Sequence, residues 1–168
     1  MEVIIAEDAG EVARRAAARF VRAIAGRTAP VLGVATGSSP IGTYTELARQ
    51  VSAGALDLSR ASAFALDEYV GLDPDHPESY RSVIDRTVTT PLGLDPTRVH
   101  VPNGAADDIP RACLDYERAI SASGGVDVQL LGIGANGHIG FNEPSSSFGS
   151  RTRLKTLAPR TRADNARF

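Results

Sequence analysis

The 168-residue sequence has one cysteine, one lysine, no tryptophan, and no apolar run that approaches the roughly 18 residues of a membrane-spanning helix. A single cysteine cannot form an internal disulfide, which fits the reducing cytoplasm. The N-terminus has acids early and no basic stretch before an apolar core, so no secretory signal is expected. We therefore predict a cytoplasmic protein without a membrane partner, with Cys113 as a small buried hydrophobe.

The charge pattern limits the partners. A net charge of −2 argues against nucleic-acid binding, although six of the 18 basic side chains lie in residues 151–168. Such a cluster indicates an anion site, a subunit contact or a solvated face, so a homo-oligomer is left open. The histidines His76, His100 and His138 lack metal-ligand spacing and only one cysteine is present, so we expect no metal site.

Strand-like and helix-like segments alternate along one predicted domain, residues 1–168. Strands are predicted at 3–6, 30–35, 61–66, 99–101 and 126–133, the last as a strand buried on both faces. Helices are predicted from a cap at Asp8 to residue 25, and at 41–51, 80–89 and 109–121. A further helix is expected to begin at Thr161 as its cap. The alternation predicts an α/β fold with a mostly parallel sheet.

Three polar segments follow predicted strands, where α/β sheets bind ligands. The first is Thr36-Gly37-Ser38-Ser39, which precedes a helix. Hydroxyls and free N–H groups at a helix N-terminus can bind a phosphate. The alternative is a structural strand-to-helix turn without a ligand, which has the same sequence pattern.

The second segment contains Asp67 and Glu68 directly after the strand at 61–66. Neighbouring side chains point in opposite directions in an extended chain, so only one acid should face a pocket. A solvated pair of loop acids is the alternative.

The third segment, residues 134–143, places Asn136, His138 and Glu143 among glycines. Histidine titrates near neutrality, so His138 is a candidate general base that Asn136 or Glu143 would orient.

Together these segments resemble the glucosamine-6-phosphate deaminase (glucosamine-6-phosphate isomerase) family. The resemblance rests on TGSSPIGTY at 36–44, LDEYVGL at 66–72, HPESY at 76–80, GANGHIGFNEPSSSFGSRTRLKTL at 134–157 and TRADNARF at 161–168. It implies a Rossmann-like three-layer sandwich that is incomplete at its C-terminus, because family chains run further and supply a lysine contact to the phosphate.

The resemblance also implies a reaction without a cofactor, in which glucosamine 6-phosphate and water give fructose 6-phosphate and ammonia. His138 would open the sugar ring, held by Asn136 and Glu143, and Asp67 would move a proton from carbon 2 to carbon 1. The phosphate would sit on residues 36–39 with Arg167. Some family members have aspartate at the position of Asn136, and an amide orients His138 without a charge to stabilise an imidazolium.

The resemblance extends to regulation. Ser146, Arg153 and Lys155 match positions that bind an N-acetylglucosamine 6-phosphate activator in allosteric family members, although ordinary surface residues are an equal alternative. Two other functions stay open, which are a truncated sugar-phosphate binder and a related enzyme such as 6-phosphogluconolactonase.

Overall fold

The computed structural model describes residues 2–164, and it contains five α-helices and four strands within that range. The helices are Ala9–Ile24 (α1), Ile41–Ser52 (α2), Tyr80–Ile84 (α3), Ile109–Ala122 (α4) and Pro159–Asp164 (α5). The strands are Val31–Val34 (β1), Ser62–Ala65 (β2), Val99–His100 (β3) and Val128–Gln129 (β4). A π-helical turn, Asp85–Thr89, continues α3, and a 3-10 turn, Pro96–Arg98, precedes β3.

All strand pairs are parallel, in the order β3-β2-β1-β4. The chain moves outward from β1 to β2 and β3, then returns to place β4 on the other side of β1. This reversal opens a crevice at the carboxyl ends of β1 and β4, which is where open α/β sheets bind ligands. The predicted parallel sheet is confirmed, and the segments after β1, β2 and β4 all emerge at this edge.

Helices cover both faces of the sheet. Leu32 and Val34 of β1 pack with Phe20 of α1 and Leu47 of α2, in a core that also includes the helical turns at 80–89. On the other face, Val31 and Phe64 pack against Tyr116 of α4. Alternate strand residues point to opposite faces, so short strands serve both cores. The three-layer sandwich that the family resemblance implies is confirmed.

Two predicted strands are wrong in whole or in part. Residues 3–6 form no strand, and Val3 and Ile5 are 74% and 92% exposed, because this segment is paired with none of the described strands. The strand predicted at 126–133 is reduced to Val128–Gln129, and both residues are half-buried. Leu130 still donates its N–H to the Gly33 carbonyl at 2.9 Å, after which the chain leaves the sheet.

The predicted helices agree with the structure more closely than the predicted strands do, and one helix cap is misplaced. Asp8 caps α1 by accepting a hydrogen bond from the Glu11 N–H, as expected. Thr161 lies inside α5 and is buried, so its prediction as the helix cap is wrong. Among the described residues, no helix is long and apolar enough to span a membrane.

Candidate active site

A cleft of about 190 Å³ lies at the carboxyl edge of the sheet. The segments after β1, β2 and β4 each contribute to its wall. Polar residues and a glycine that line the cleft include Thr36, Gly37, Ser39, Asp67, Tyr80 and His138. The three polar segments singled out in the sequence therefore meet in one place.

The segment after β1 leads directly into the N-terminus of α2. Pro40 occupies the N-cap position without a side-chain hydrogen bond, and the first turn contains no acidic residue. In contrast, Asp8 and Asp108 cap the first turns of α1 and α4. The positive end of the α2 dipole is thus not compensated by a carboxylate at this edge of the cleft.

Tyr44 of α2 fixes the start of this segment. Its buried hydroxyl accepts the Ala35 N–H and donates to the Ala35 carbonyl, both at 2.9 Å. One side chain thereby satisfies both backbone groups of the residue before Thr36. The turn at 36–39 is consequently held against α2.

Asp67 projects into the cleft from the end of β2. Burial raises the pKa of the Asp67 carboxyl to about 7, the negative charge of Glu68 adds to the rise, and a hydrogen bond from the Phe141 N–H opposes it. A carboxyl with this pKa is partly ionised near neutrality, which suits a group that both takes up and returns a proton.

The segment after β4 folds back over Asp67. Ile139 and Asn142 exchange backbone hydrogen bonds at 3.2 and 3.0 Å, which closes a tight turn over Gly140 and Phe141. Gly140 has φ +57°, and a Cβ there would lie 3.1 Å from Oδ2 of Asp67. The turn favours glycine because its φ is in the left-handed region and because a Cβ would crowd the Asp67 carboxylate.

A hydrogen-bonded relay orients His138. Asn136 donates from Nδ2 to Oε2 of Glu143 at 2.8 Å, and its Oδ1 lies 2.7 Å from Nδ1 of His138. Oδ1 also accepts the backbone N–H of His138 at 3.1 Å. Gly134 packs against the imidazole so closely that a Cβ at this position would overlap the ring.

The chemistry of the relay assigns the histidine tautomer. An ionised carboxylate only accepts hydrogen bonds, so the amide nitrogen of Asn136 faces Glu143 and its oxygen faces His138. The imidazole must then carry its proton on Nδ1 in order to donate to that oxygen. Nε2 remains as the basic nitrogen of a ring that lines the cleft.

Glu143 anchors the other end of the relay. The pKa of Glu143 is lowered from its usual value, mainly by a hydrogen bond from the Thr161 hydroxyl and one from the Ala158 N–H. Burial opposes this, while a hydrogen bond from Asn136 and the proximity of His138 lower the pKa further. The Ala158 bond measures 3.0 Å. Glu143 therefore ties the relay to α5 as a stable anion.

The family model for glucosamine-6-phosphate isomerases and 6-phosphogluconolactonase matches residues 6–149. The chain belongs to this family. The match covers the sheet and all three segments of the cleft.

Two bacterial relatives illustrate the similarity within the glucosamine-6-phosphate isomerase/6-phosphogluconolactonase family. The chain is 59% identical to a glucosamine-6-phosphate deaminase of Cutibacterium acnes and 53% identical to one of Mycolicibacterium smegmatis. All of this chain aligns, and it spans 64% of the length of each relative.

Solved structures of the family agree with the fold. A monomeric glucosamine-6-phosphate deaminase superposes with a TM-score of 0.94 at 41% identity, over 99% of this chain and 69% of that one. A 6-phosphogluconolactonase from Leishmania guyanensis superposes with a TM-score of 0.73 at 20% identity, over 94% of this chain and 70% of that one, which supports the fold alone. Because the first of these is monomeric, it lends no support to a homo-oligomer.

Some predicted site residues lie outside the cleft. Ser38 is exposed and does not line it, unlike Thr36, Gly37 and Ser39. Arg167 falls outside the described residues, so the cationic phosphate contact stays a prediction.

A second cleft of about 460 Å³ shares Asp67, Tyr69 and Phe141 with the first. Arg153 and Lys155 line it, whereas Ser146 does not. The Arg153 guanidinium donates to Oδ1 of Asn142 at 3.0 Å. The predicted activator contacts are therefore split between two places, and their role stays a prediction.

Cys113 lines the second cleft and is half-buried, so it is less enclosed than predicted.

The sequence reasoning missed two groups that build the site. Phe141 supplies a backbone N–H to Asp67, and backbone donors leave no mark in side-chain chemistry. Thr161 is predicted as a helix cap, whereas in the structure its hydroxyl donates a hydrogen bond to Glu143 and lies 3.5 Å from Nδ1 of His138. The sequence holds no local signal for this contact, because Glu143 lies far outside the helix that contains Thr161.

Proposed function

We propose that this chain carries the active site of a glucosamine-6-phosphate deaminase, which converts glucosamine 6-phosphate and water to fructose 6-phosphate and ammonia. The observation that carries the proposal is the convergence of Asp67 and His138 on one cleft, with the His138 tautomer assigned by Asn136. We further propose that the reaction is hydrolytic and belongs to the cytoplasmic breakdown of N-acetylglucosamine.

His138 suits the ring-opening step. Nε2 can take the proton of the anomeric hydroxyl and return it to the ring oxygen, which frees an open-chain aldehyde. Asn136 keeps the proton on Nδ1 and carries no charge, so it orients the ring without accepting a proton itself. Glu143 fixes the amide and hence the imidazole plane.

Asp67 suits the isomerisation step. Its carboxylate removes the proton from carbon 2 of the open chain while the substrate's own ammonium group gives a proton to the oxygen on carbon 1, which together give an enolamine. Return of that proton to carbon 1 gives an imine at carbon 2, and water hydrolyses this imine to the ketone and ammonia. The raised pKa of Asp67, about 7, lets one group perform both the removal and the return near neutral pH.

The α2 N-terminus supports the placement of the phosphate. Thr36, Gly37 and Ser39 line the cleft beside an uncapped first turn, where backbone N–H groups favour an anion. This end of the cleft holds no acid in the first helical turn, so a doubly charged phosphate meets no repulsion from α2 itself.

The test measures ammonia and fructose 6-phosphate released from glucosamine 6-phosphate by the 168-residue chain. We expect turnover by the parent, none by Asp67→Asn, and parental turnover by Asp75→Asn, an exposed acid of the loop before α3. Calorimetry with glucosamine 6-phosphate should show that Asp67→Asn still binds the sugar phosphate.

Three results would overturn the proposal. One is parental activity in Asp67→Asn. Another is a folded chain that binds the sugar phosphate without turnover, which would indicate a binding module. The third is hydrolysis of 6-phosphogluconolactone without ammonia release from the amino sugar, which would indicate the lactonase.

A further inference from the structure

Glu68 follows Asp67 in the chain, but its carboxylate is directed to a different element. It accepts the backbone N–H groups of Tyr80 at 3.1 Å and Arg81 at 2.9 Å, which are the first two residues of α3. Ser79 caps the next donor, because its Oγ accepts the Ser82 N–H at 3.0 Å. Glu68 and Ser79 together satisfy the first turn of α3, and the carboxylate of Glu68 lies at the positive end of the helix.

We propose that Glu68 is a positioning residue, which ties the segment after β2 to the N-terminus of α3 and so holds Asp67 and Tyr80 in place at the cleft. The geometry of this proposal is independent of the reaction, whereas its effect on turnover rests on the proposed function. Because both carboxylate oxygens of Glu68 accept backbone N–H groups, Glu68 does not itself exchange a proton with the substrate.

Tyr80 shows why this tie matters for the cleft. Its side chain bonds that of Thr36, and its hydroxyl donates to the Tyr69 hydroxyl at 3.3 Å. Its ring lies 5.0 Å from that of Tyr69 and 5.7 Å from that of Phe141, measured between centroids. Through Tyr80, the helix end that Glu68 holds contacts all three segments of the cleft.

The segment after β2 is also fixed from the opposite side. Gly71 donates its N–H to the Gly104 carbonyl at 2.9 Å, and Gly104 lies so close to the Tyr69 carbonyl that a Cβ would overlap it. Glu68 adds a further bond to the N–H of Tyr69 at 2.8 Å. The backbone that carries Asp67 is thus held between α3 and the loop at Gly104.

The charge of Glu68 reaches Asp67 as well. It raises the pKa of Asp67, in the same direction as burial, and the Phe141 N–H opposes both. Removing this charge should therefore lower the pKa of Asp67. Other titratable groups around Asp67 are Tyr69, Glu78, Tyr80 and His138 in the first cleft and Tyr116 from α4. The second cleft adds Cys113, Glu117, Arg151, Arg153 and Lys155.

Two substitutions remove the contacts of Glu68 to different extents. Glu68→Gln loses the charge and one of the two accepting oxygens, so it can keep the bonds made by only one of them, whereas Glu68→Ala loses the charge and all of the bonds. Asp75→Asn is the control, because it removes one negative charge from an exposed position before α3.

The first measurement is NMR, which needs no activity. In Glu68→Ala, amide exchange at Tyr80 and Arg81 should accelerate by about tenfold or more, the loss expected for a charge-assisted hydrogen bond. In Glu68→Gln, the titration midpoint of the Asp67 carboxyl carbon should fall, and the exchange rates should change less. Asp75→Asn should leave both unchanged.

The second measurement is turnover. Glu68→Ala should lower kcat by on the order of tenfold to a hundredfold with little change in KM, because misplacement affects the reacting groups more than binding. Glu68→Gln, which keeps one accepting oxygen, should restore part of kcat and move the acidic limb of the kcat/KM profile to lower pH. An unchanged Asp67 midpoint in Glu68→Gln with unchanged exchange in Glu68→Ala would overturn the inference. A parent chain without turnover would overturn the proposed function alone.

Discussion

The Asn136 side-chain oxygen lies 2.7 Å from Nδ1 of His138, while its nitrogen donates to Glu143. Because Glu143 accepts from the amide nitrogen, the amide oxygen faces His138, and the imidazole must carry its proton on Nδ1. The amide carries no exchangeable acid or base at neutral pH, so under the proposed function Nε2 is the nitrogen of His138 that exchanges a proton with the substrate.

Asn136→Asp should lower the thermal stability of the protein by an amount that depends on pH. The new carboxylate cannot donate to Glu143, and two adjacent anions repel each other. Above about pH 6, where both carboxyls are ionised, Tm should fall below that of the parent, and it should recover toward pH 4 as one carboxyl takes up a proton. Calorimetry across pH checks this, with Asn103→Asp in an exposed loop as the control; a pH-independent difference would contradict it.

Gly134→Ala should lower kcat without preventing folding. A Cβ at this position overlaps the His138 ring, so the imidazole must rotate away from Asn136. A displacement of this kind should cost on the order of tenfold to a hundredfold in kcat, with KM changed less.

Steady-state kinetics on Gly134→Ala can be compared with Gly149→Ala. A Cβ at Gly149 would meet only the Ser147 hydroxyl at 3.7 Å, an ordinary contact. Equal kcat values in the two variants would show that the His138 ring position does not limit turnover.

Asp67→Asn should stabilise the protein at alkaline pH. Because the folded-state pKa of Asp67 is raised to about 7, the folded chain binds this proton more tightly than the unfolded chain. Stability from this group is complete below the unfolded pKa, near 4, and declines as pH rises through about 7. The neutral amide avoids this loss.

The gain in Asp67→Asn should be on the order of 1–2 kcal/mol at pH 8, after allowance for partial solvent exposure, and should shrink toward pH 4. Urea unfolding at the two pH values measures it. A stability gain that is constant with pH would exclude Asp67 as its source.

The same titration predicts that kcat/KM of the parent falls below about pH 7, as Asp67 becomes protonated.

Tyr44→Phe should weaken both folding and sugar-phosphate binding. The buried hydroxyl serves the N–H and the carbonyl of Ala35, so its removal leaves two polar groups without their partner. We expect a loss of about 1–3 kcal/mol in the free energy of unfolding and a higher KM, since the turn at Thr36 loses its anchor.

Urea unfolding and kinetics on Tyr44→Phe should be paired with Thr45→Ala. Thr45 is the exposed neighbour on α2, and its hydroxyl bonds only the Ile41 carbonyl of its own helix among the described residues. If both variants lost the same stability, the Ala35 contacts would not be the cause.

The sequence predicted most of the element order because the patterns are local. The Asp8 cap and the apolar spacing of α1, for example, depend on residues within a few positions of one another. The failures are non-local. Residues 3–6 have strand composition, but a strand also needs a neighbour with which to pair. The strand predicted at 126–133 is short because its backbone bonds to β1 run only from Asp127 to Leu130, after which the chain leaves the sheet.

The sequence by itself determined which chemical groups the site contains: the acid Asp67, the imidazole of His138 and the hydroxyl segment after β1. Their placement at strand ends could be deduced because parallel strands share one carboxyl edge. The tertiary structure alone decided how these groups behave. Burial and the charge of Glu68 raise the pKa of Asp67, and the Asn136 amide selects the proton position on His138. Desolvation and hydrogen-bond direction depend on atoms brought together from distant parts of the chain, which no local pattern encodes.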